Sequence, residues 1–343
     1  MSVSSKPVRS DSDAPGMSAK IVSALDRLAL LAALGLLAAT FAALAAKVWW
    51  GFELFSHFRA HYVLLQLPLV VALVALGRRH VAALLALAVV PNAWPLLPYV
   101  SAAGPAQAAV AAGGSGRASD AVSSTIELMA VNVEFRNRSS ERLLEMIRAE
   151  APDAVLVVEY TDEWRARLEP VFEDYPHHVL LPDDDAAFGI ALLSKLPLRD
   201  VRPFRLESTA AIEATIVSPA GELELIGVHL RPPVSAHLAA ERARQLDALA
   251  GLVRQIGGPL VVAGDFNLTP YSPYFTELLA ATGLRDARTG FDFTWPSFLP
   301  LLGIPIDHCL VSPGLGVVAF RRLPAFGSDH YPIVVELSME GEQ

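Results

Sequence analysis

The residues best suited to chemistry recur at the ends of apolar runs. Asn132 and Glu134 stand at the end of a run at 126–133, and Glu159 follows 155–158. His229 ends 223–228, while Asp265 and Asn267 follow 260–263 inside Gly264-Asp265-Phe266-Asn267. Asp307-His308 precede 309–311, and Ser328-Asp329-His330 precede 333–337. The set holds carboxylates, carboxamides and imidazoles but no Ser or Cys suited to nucleophilic attack. Oxygen ligands of this kind suit a hard cation such as Mg²⁺ or Mn²⁺. Acid–base histidines nearby support attack of a metal-assisted water on a phosphoryl centre. A lone aspartate after a strand is most often a turn or helix cap, and a lone histidine is usually structural. The joint pattern is more specific, because six coincidences must otherwise be explained in one order. The single cysteine, Cys309, excludes a disulfide framework and a Cys-based zinc site.

Those side chains need strands to present them. The run at 126–133 reads as a strand. Ser139 or Ser140 can cap a helix with Leu143, Leu144 and Ile147 on one face, and Ala154–Val158 reads as a buried strand. Further strands are expected at 190–193, 212–217, 223–228, 260–263, 309–311 and 333–337. A helix is expected from 236 to 256, ended by Gly257-Gly258. No repeat of fixed period is present. Intermixed strands and helices with hairpin-like connections favour an α/β domain with a mixed sheet. Such domains gather their sites at strand ends along one edge.

In kind and in order, these motifs resemble those of the endonuclease/exonuclease/phosphatase superfamily. That group includes DNase I-like nucleases, inositol polyphosphate 5-phosphatases and bacterial sphingomyelinases. The resemblance covers about 126–337. It rests on Met129-Ala130-Val131-Asn132-Val133, the stretch from Asp153 to Glu159, Gly189 to Ser194, Val228-His229-Leu230, Gly264-Asp265-Phe266-Asn267, Ile306-Asp307-His308 and Gly327-Ser328-Asp329-His330-Tyr331-Pro332. The Gly-Asp-Phe-Asn and Ser-Asp-His pieces are the most specific.

The resemblance implies a four-layer sandwich of two mixed β-sheets flanked by helices. It also implies roles. Glu159 is the principal metal ligand, with Asn132 close by. Asp265 orients or deprotonates the attacking water, and Asn267 contacts phosphoryl oxygens or metal. His330 bears on the scissile phosphate and is held by Asp307, while His229 is a second phosphate-contacting histidine. Asp329 helps to bind metal or positions its neighbour. Three positions depart from the family pattern or vary within it. Glu134 stands where many nucleases of the group carry Asp, Val158 precedes Glu159 where many members have Gln, and His308 reads as neutral. Thr294-Trp295-Pro296 resembles a Thr-Trp piece expected to wall the site.

Ahead of this domain the texture changes. Hydrophobic residues make up 53% of the 343-residue chain, mean hydropathy is +0.40, and the excess lies before about residue 100. Apolar runs at 28–46, 63–77 and 81–100 predict about three membrane spans within 28–100. Trp49, Trp50, Trp94 and Tyr99 sit near their ends, as interfacial aromatics do. Lys6, Arg9, Lys20 and Arg27 precede the first run and Arg78-Arg79 follow the second, against Lys47 and Arg59 on the other side. The positive-inside rule then makes 1–27 a cytoplasmic tail in the inner membrane and puts everything after residue 100 on the periplasmic or extracellular side. A cleaved signal peptide fits poorly with three apolar segments after a long polar stretch. Asp26 and Glu53 are expected at or beyond span ends, and the lack of charge within the spans argues against a transport or sensor module. The Ala-, Gly- and Ser-rich stretch 101–124 is expected to be a flexible linker to a catalytic domain at 125–343.

The formal charge of −9 is unevenly placed. Residues 1–119 carry nine Lys and Arg against four Asp and Glu, and the remainder carries 18 against 32. An acidic domain lacks the basic footprint of a protein that tracks duplex nucleic acid. The expected partners are therefore the bilayer and a phosphoester substrate, with a small molecule or lipid headgroup favoured over nucleic acid; no protein partner is inferred. The alternatives are a nuclease acting on extracytoplasmic nucleic acid and an inactive scaffold. A scaffold should have lost some of Glu159, Asp265, Asn267, Asp307 and His330, and all are present.

Overall fold

The computed structural model describes residues 17–101, 125–185 and 188–339. Of the expected linker at 101–124 only Ser101 is described, at the end of a helix, and residues 1–16 of the expected cytoplasmic tail lie outside the described residues.

The apolar amino-terminal runs fold as a helical bundle. Its helices are α1 (Met17–Leu44), α2 (Trp50–Ser56), α3 (Arg59–Ala75) and α4 (Arg79–Ala93), followed by the short α5 (Leu97–Ser101). Two stretches, Lys20–Leu44 and Arg79–Val100, are long and apolar enough to cross a membrane; α2 and α3, bent by 61°, would make a third span if counted as one. Large apolar side chains such as Leu31, Leu34, Leu64 and Leu87 face outward, while Ala29, Ala33, Leu73, Ala82 and Leu85 pack inside. One polar cluster ties the helices together. Thr40 accepts hydrogen bonds from Gln66 at 3.1 Å and Asn92 at 2.8 Å, so α1, α3 and α4 each contribute one buried side chain. Such contacts join helices where lipid offers no hydrophobic drive between them. Asp26 lies within α1 rather than before it, because the helix starts earlier than the apolar run, and it binds Arg78 at 2.7 and 2.8 Å.

The rest of the chain alternates strands and helices. In order these are β1 (Thr125–Asn132), α6 (Ser140–Glu150), β2 (Ala154–Val158), α7 (Asp162–Leu168), β3 (His177–Leu181), β4 (Ile190–Ser194), β5 (Leu198–Leu206), β6 (Thr209–Ser218) and β7 (Gly221–His229). Then come α8 (Ala236–Val253), β8 (Leu260–Asp265), α9 (Pro273–Thr282), β9 (Arg285–Asp286), β10 (Asp307–Val311), β11 (Gly316–Arg322) and β12 (Ile333–Ser338). They form two six-stranded sheets, ordered β11-β12-β1-β2-β4-β3 and β5-β6-β7-β8-β10-β9. Both are mixed: β1–β2 and β7–β8 are parallel, and the other pairs antiparallel.

Three apolar clusters define four layers. The first lies between the sheets and joins Leu128, Leu156 and Leu192 to Ile212, Leu225 and Val261. The second seats α6 and α7 on one sheet through Leu143, Ile147 and Trp164. The third seats α8 and α9 on the other through Leu246, Leu249 and Phe275. The expected four-layer sandwich is the observed one. At the α6 start, neither serine has a capping role: the helix begins at Ser140, and Ser139 makes no side-chain cap.

Candidate active site

Register brings the site together. In the second sheet Asp265 ends the central strand β8, with His229 of β7 and Asp307 of β10 as its direct partners on either side. In the first sheet Asn132 pairs with Val158, so Asn132 and Glu159 emerge side by side. Gly264 has a φ of +133°, and a Cβ there would lie 1.9 Å from the Val228 carbonyl oxygen, so only glycine lets β8 deliver Asp265 this close to β7. Glu134, Glu159 and Asn267 hold φ values of 51°, 58° and 48°, three of the six non-glycine residues with positive φ among those described. Backbone held in this sparsely populated region often marks a functional site.

The two sheet ends meet at Asn132. Its amide donates to Glu159 Oε1 at 3.0 Å and to Asp265 Oδ2 at 3.1 Å, and lies 3.4 Å from His330 Nε2. His330 Nδ1 sits 2.9 Å from Asp307 Oδ2, and its Nε2 is 3.7 Å from Asp265 Oδ2. His229 Nε2 approaches the same oxygen at 3.6 Å, while its ring stacks on Phe188 with centroids 4.5 Å apart. The Asn267 amide nitrogen donates to Asp265 Oδ1 at 2.8 Å, and the Asn267 side chain donates to the Leu230 carbonyl at 2.9 Å. Ser328 Oγ binds the Asn132 carbonyl at 2.8 Å and accepts from the His330 amide at 3.0 Å, which pins the Ser-Asp-His loop to β1. Asp329 is held at 2.9 Å by the Trp295 indole, so the Thr-Trp piece does wall the site.

Seven of the eight expected residues thus form one contiguous network, and Asp329 lies at its edge, 3.9 Å from His330. Glu134 turns toward the same loop and accepts from the Asp329 amide at 3.1 Å. His308 is buried elsewhere, bonded to the Leu268 carbonyl at 2.8 Å, in keeping with a neutral role.

Charge is strongly confined here. Burial raises the pKa of Asp265, helped by the Asp307 charge, to about 8. Burial opposes ionisation of Asp307, but the His330 charge and hydrogen bond outweigh it and hold Asp307 low. Burial also opposes charge on His330, yet Asp307 and Asp265 override it and raise its pKa to about 10. His229, buried beside that cation, is lowered to about 3. Burial raises Glu159 and, with Asp329, Glu134.

The hydrogen-bond partners of Glu134, Glu159, Asp265, Asp307 and Asp329 are amides, an imidazole, an indole and the Thr294 hydroxyl, not Lys or Arg. A hard divalent cation fits such a donor set, since it would relieve the burial cost that raises Glu159 and Asp265. Among the described residues, Asp265, Asp307 and His330 form a group whose ligand atoms all lie within 4.8 Å of one another. That set differs from the expected Glu159, Asn132 and Asp329. Because Asp307 already engages His330 Nδ1, the three also read as an ion-paired dyad facing a carboxylate.

One contact reaches the site from the bundle. Arg242 of α8 donates to the Asn267 carbonyl at 2.9 Å and to Glu53 of α2; both Arg242 and Glu53 are fully buried. Ser272 donates to the other Glu53 oxygen at 3.0 Å, and His57 meets Thr269 at 3.0 Å. Glu53, outside the two long apolar stretches, is therefore the buried centre of a joint between the bundle and the following domain. The sequence held a signal: Arg242 interrupts the apolar stripe Ala239, Leu246, Leu249 and Val253 on α8.

Residues 129–330 match the model of the Endonuclease/Exonuclease/phosphatase family. The chain belongs to that family. By family it is a hydrolase acting on phosphoester bonds. A UPF0294 protein of Vibrio cholerae is 27% identical over 232 residues, which cover 62% of this chain and 78% of that one. Among solved structures, humanized D. rerio TDP2 superposes with a TM-score of 0.53 at 17% identity, covering 63% of this chain and 99% of that one. The human Nocturnin catalytic domain does so with a TM-score of 0.52 at 20% identity, covering 63% and 94%. At these identities the structural likeness speaks for the fold.

Proposed function

We propose that the protein is a membrane-anchored, Mg²⁺- or Mn²⁺-dependent phosphoesterase whose catalytic domain faces the periplasmic or extracellular side. The observation that carries the reading is the single network from Asn132 and Glu159 of one sheet to His229, Asp265, Asp307 and His330 at the end of the other. Support for the anchor comes from the apolar helices and for the orientation from the basic residues of 1–27 and Arg78-Arg79.

Glu159 and Asn132, with Asp329 nearby, would hold the cation, which supplies charge stabilisation at the phosphoryl oxygens. Asp265 is placed to orient a water and, in the ionised form that a bound cation would favour, to take its proton, with burial and the Asp307 charge raising its basicity. His330, kept protonated by Asp307, faces the cleft with Nε2 and donates to a phosphoryl or leaving-group oxygen. His229, neutral and stacked on Phe188, offers a second contact, and Asn267 lines the same wall. The water oxygen bonds to phosphorus, the P–O bond to the leaving group breaks, and the leaving oxygen gains a proton. A diester yields a monoester and an alcohol.

The test uses the full chain, purified metal-free in detergent, with bis-p-nitrophenyl phosphate, p-nitrophenyl phosphate and plasmid DNA as substrates, with and without Mg²⁺ or Mn²⁺. Metal-dependent cleavage that falls at least about 10²-fold in both Asp265→Asn and His330→Ala is the expected result. Near-normal rates in both variants refute the assignment. Selective cleavage of plasmid DNA would replace it with the nuclease reading.

A further inference from the structure

Among described residues of the catalytic domain, four of the eight exposed large apolar side chains fall within five consecutive positions: Phe298 at 73%, Leu299 at 43%, Leu301 at 86% and Leu302 at 50% exposure. They cap a narrow finger. Its base is closed by Trp295 and Ile304, which exchange backbone hydrogen bonds at 3.1 and 2.6 Å. That base belongs to the rim of the active site: the Trp295 indole holds Asp329, and Ser297 binds the Ser328 and Asp329 carbonyls at 2.6 and 2.7 Å. Scattered apolar residues on a surface need no explanation, but a contiguous patch beside a site marks an interaction surface.

The bundle fixes what the finger faces. The imidazole of His61, in the first turn of α3, meets the backbone of Leu301. The carboxy-terminal ends of α1 and α4, the start of α3 and all of α2 lie at that same end of the antiparallel bundle. Trp49 and Trp94 are exposed there at 52% and 73%, as aromatics at a membrane interface are. Leu301 therefore sits at the depth of the aromatic belt, and the finger's exposed leucines match the outward faces of the helices themselves.

We infer that residues 298–302 dip into the leaflet that carries the helices, so that the catalytic rim rests on the bilayer and the substrate is a phosphodiester of a membrane lipid. This rests on the phosphoesterase reading above and adds to it the substrate class. A headgroup phosphate reaches the cleft from the surface while its acyl chains stay in the leaflet, so the finger binds membrane rather than a soluble ligand.

Two measurements on the full chain in phosphatidylcholine and phosphatidylglycerol vesicles test it. A fluorophore on Leu301→Cys reports depth, since Cys309 is buried. Quenching by lipids spin-labelled near the headgroup is expected. Quenching by aqueous iodide alone, or protection from both through self-association, overturns the inference. Phe298→Ser/Leu301→Ser should retain bis-p-nitrophenyl phosphate hydrolysis in detergent within about twofold and lose phosphatidylglycerol hydrolysis in vesicles by at least about tenfold, as loss of apolar membrane contacts predicts. Equal rates on vesicles for both proteins, or a wild type that cleaves only the soluble diester, overturn it. If nothing is cleaved yet the probe is quenched by lipid, the phosphoesterase reading fails with its lipid substrate, and the docking of the finger stands.

Discussion

Glu53→Ala is expected to unsettle both the fold and the site. The substitution strands Arg242, a fully buried guanidinium, without its carboxylate and removes the acceptor of Ser272. Removing one partner of a buried ion pair costs roughly 3–5 kcal/mol, because the other charge stays desolvated. For a domain of this size each kcal/mol lowers Tm by about 2–4 °C, so a fall of about 6–20 °C is expected in detergent or nanodiscs. Arg242 also holds the Asn267 carbonyl, and Asn267 holds Asp265 through its amide nitrogen. A released Arg242 should therefore lower turnover as well as stability.

A second variant separates those effects. Glu53→Leu/Arg242→Met replaces the pair by apolar groups of similar size, an exchange that is often neutral or stabilising. Its Tm should recover toward wild type, while kcat for bis-p-nitrophenyl phosphate stays reduced, because the Asn267 carbonyl still lacks its donor. Arg242→Lys, which keeps one charged donor, should restore part of that rate. Two results would refute the reasoning: an unchanged Tm in Glu53→Ala, which means that the bundle does not dock through this pair, or full recovery of kcat in the apolar double variant, which means that the contact to Asn267 is structural only.

Three further outcomes are expected. Glu159→Gln should weaken Mn²⁺ binding to the full chain by at least about 10-fold, the lower end of what losing even an outer-shell partner costs, and unchanged affinity by calorimetry would move the ion to another set such as Asp265, Asp307 and His330. Gly264→Ala, with its φ of +133° and its Cβ against the Val228 carbonyl, should cost about 2–5 kcal/mol from backbone strain and overpacking, and a Tm within error of wild type would contradict the close approach of β7 and β8. Metal-free protein should lose stability between pH 7 and 10. Both Asp265, raised to about 8, and His330, raised to about 10, bind more protons folded than unfolded in that window, so their contribution is present at lower pH and lost as pH rises through those values. A flat denaturation midpoint across the window would show that the network does not hold those protons.

What the sequence made legible follows from where each segment sits in its sheet. The eight strands read from apolar runs, β1, β2, β4, β6, β7, β8, β10 and β12, are the interior strands of the two sheets. The four that escaped, β3, β5, β9 and β11, are the four edges. An interior strand such as β2 is buried on both faces and spells Ala-Val-Leu-Val-Val, whereas β5 has six partly or fully exposed residues before Phe204 and carries Arg199, Asp200, Arg202 and Pro203. Edges need polarity and proline to avoid pairing with other chains, so the feature that protects them also hides their period. The catalytic groups were legible for the converse reason: each sits at or near one end of an interior strand, where an apolar run begins or ends beside a carboxylate, carboxamide or imidazole. The joint around Glu53 was hidden because its partners, Arg242 and Ser272, are 189 and 219 residues away in sequence. No local pattern pairs them; only the charge on the apolar stripe of α8 hinted that a buried partner must exist.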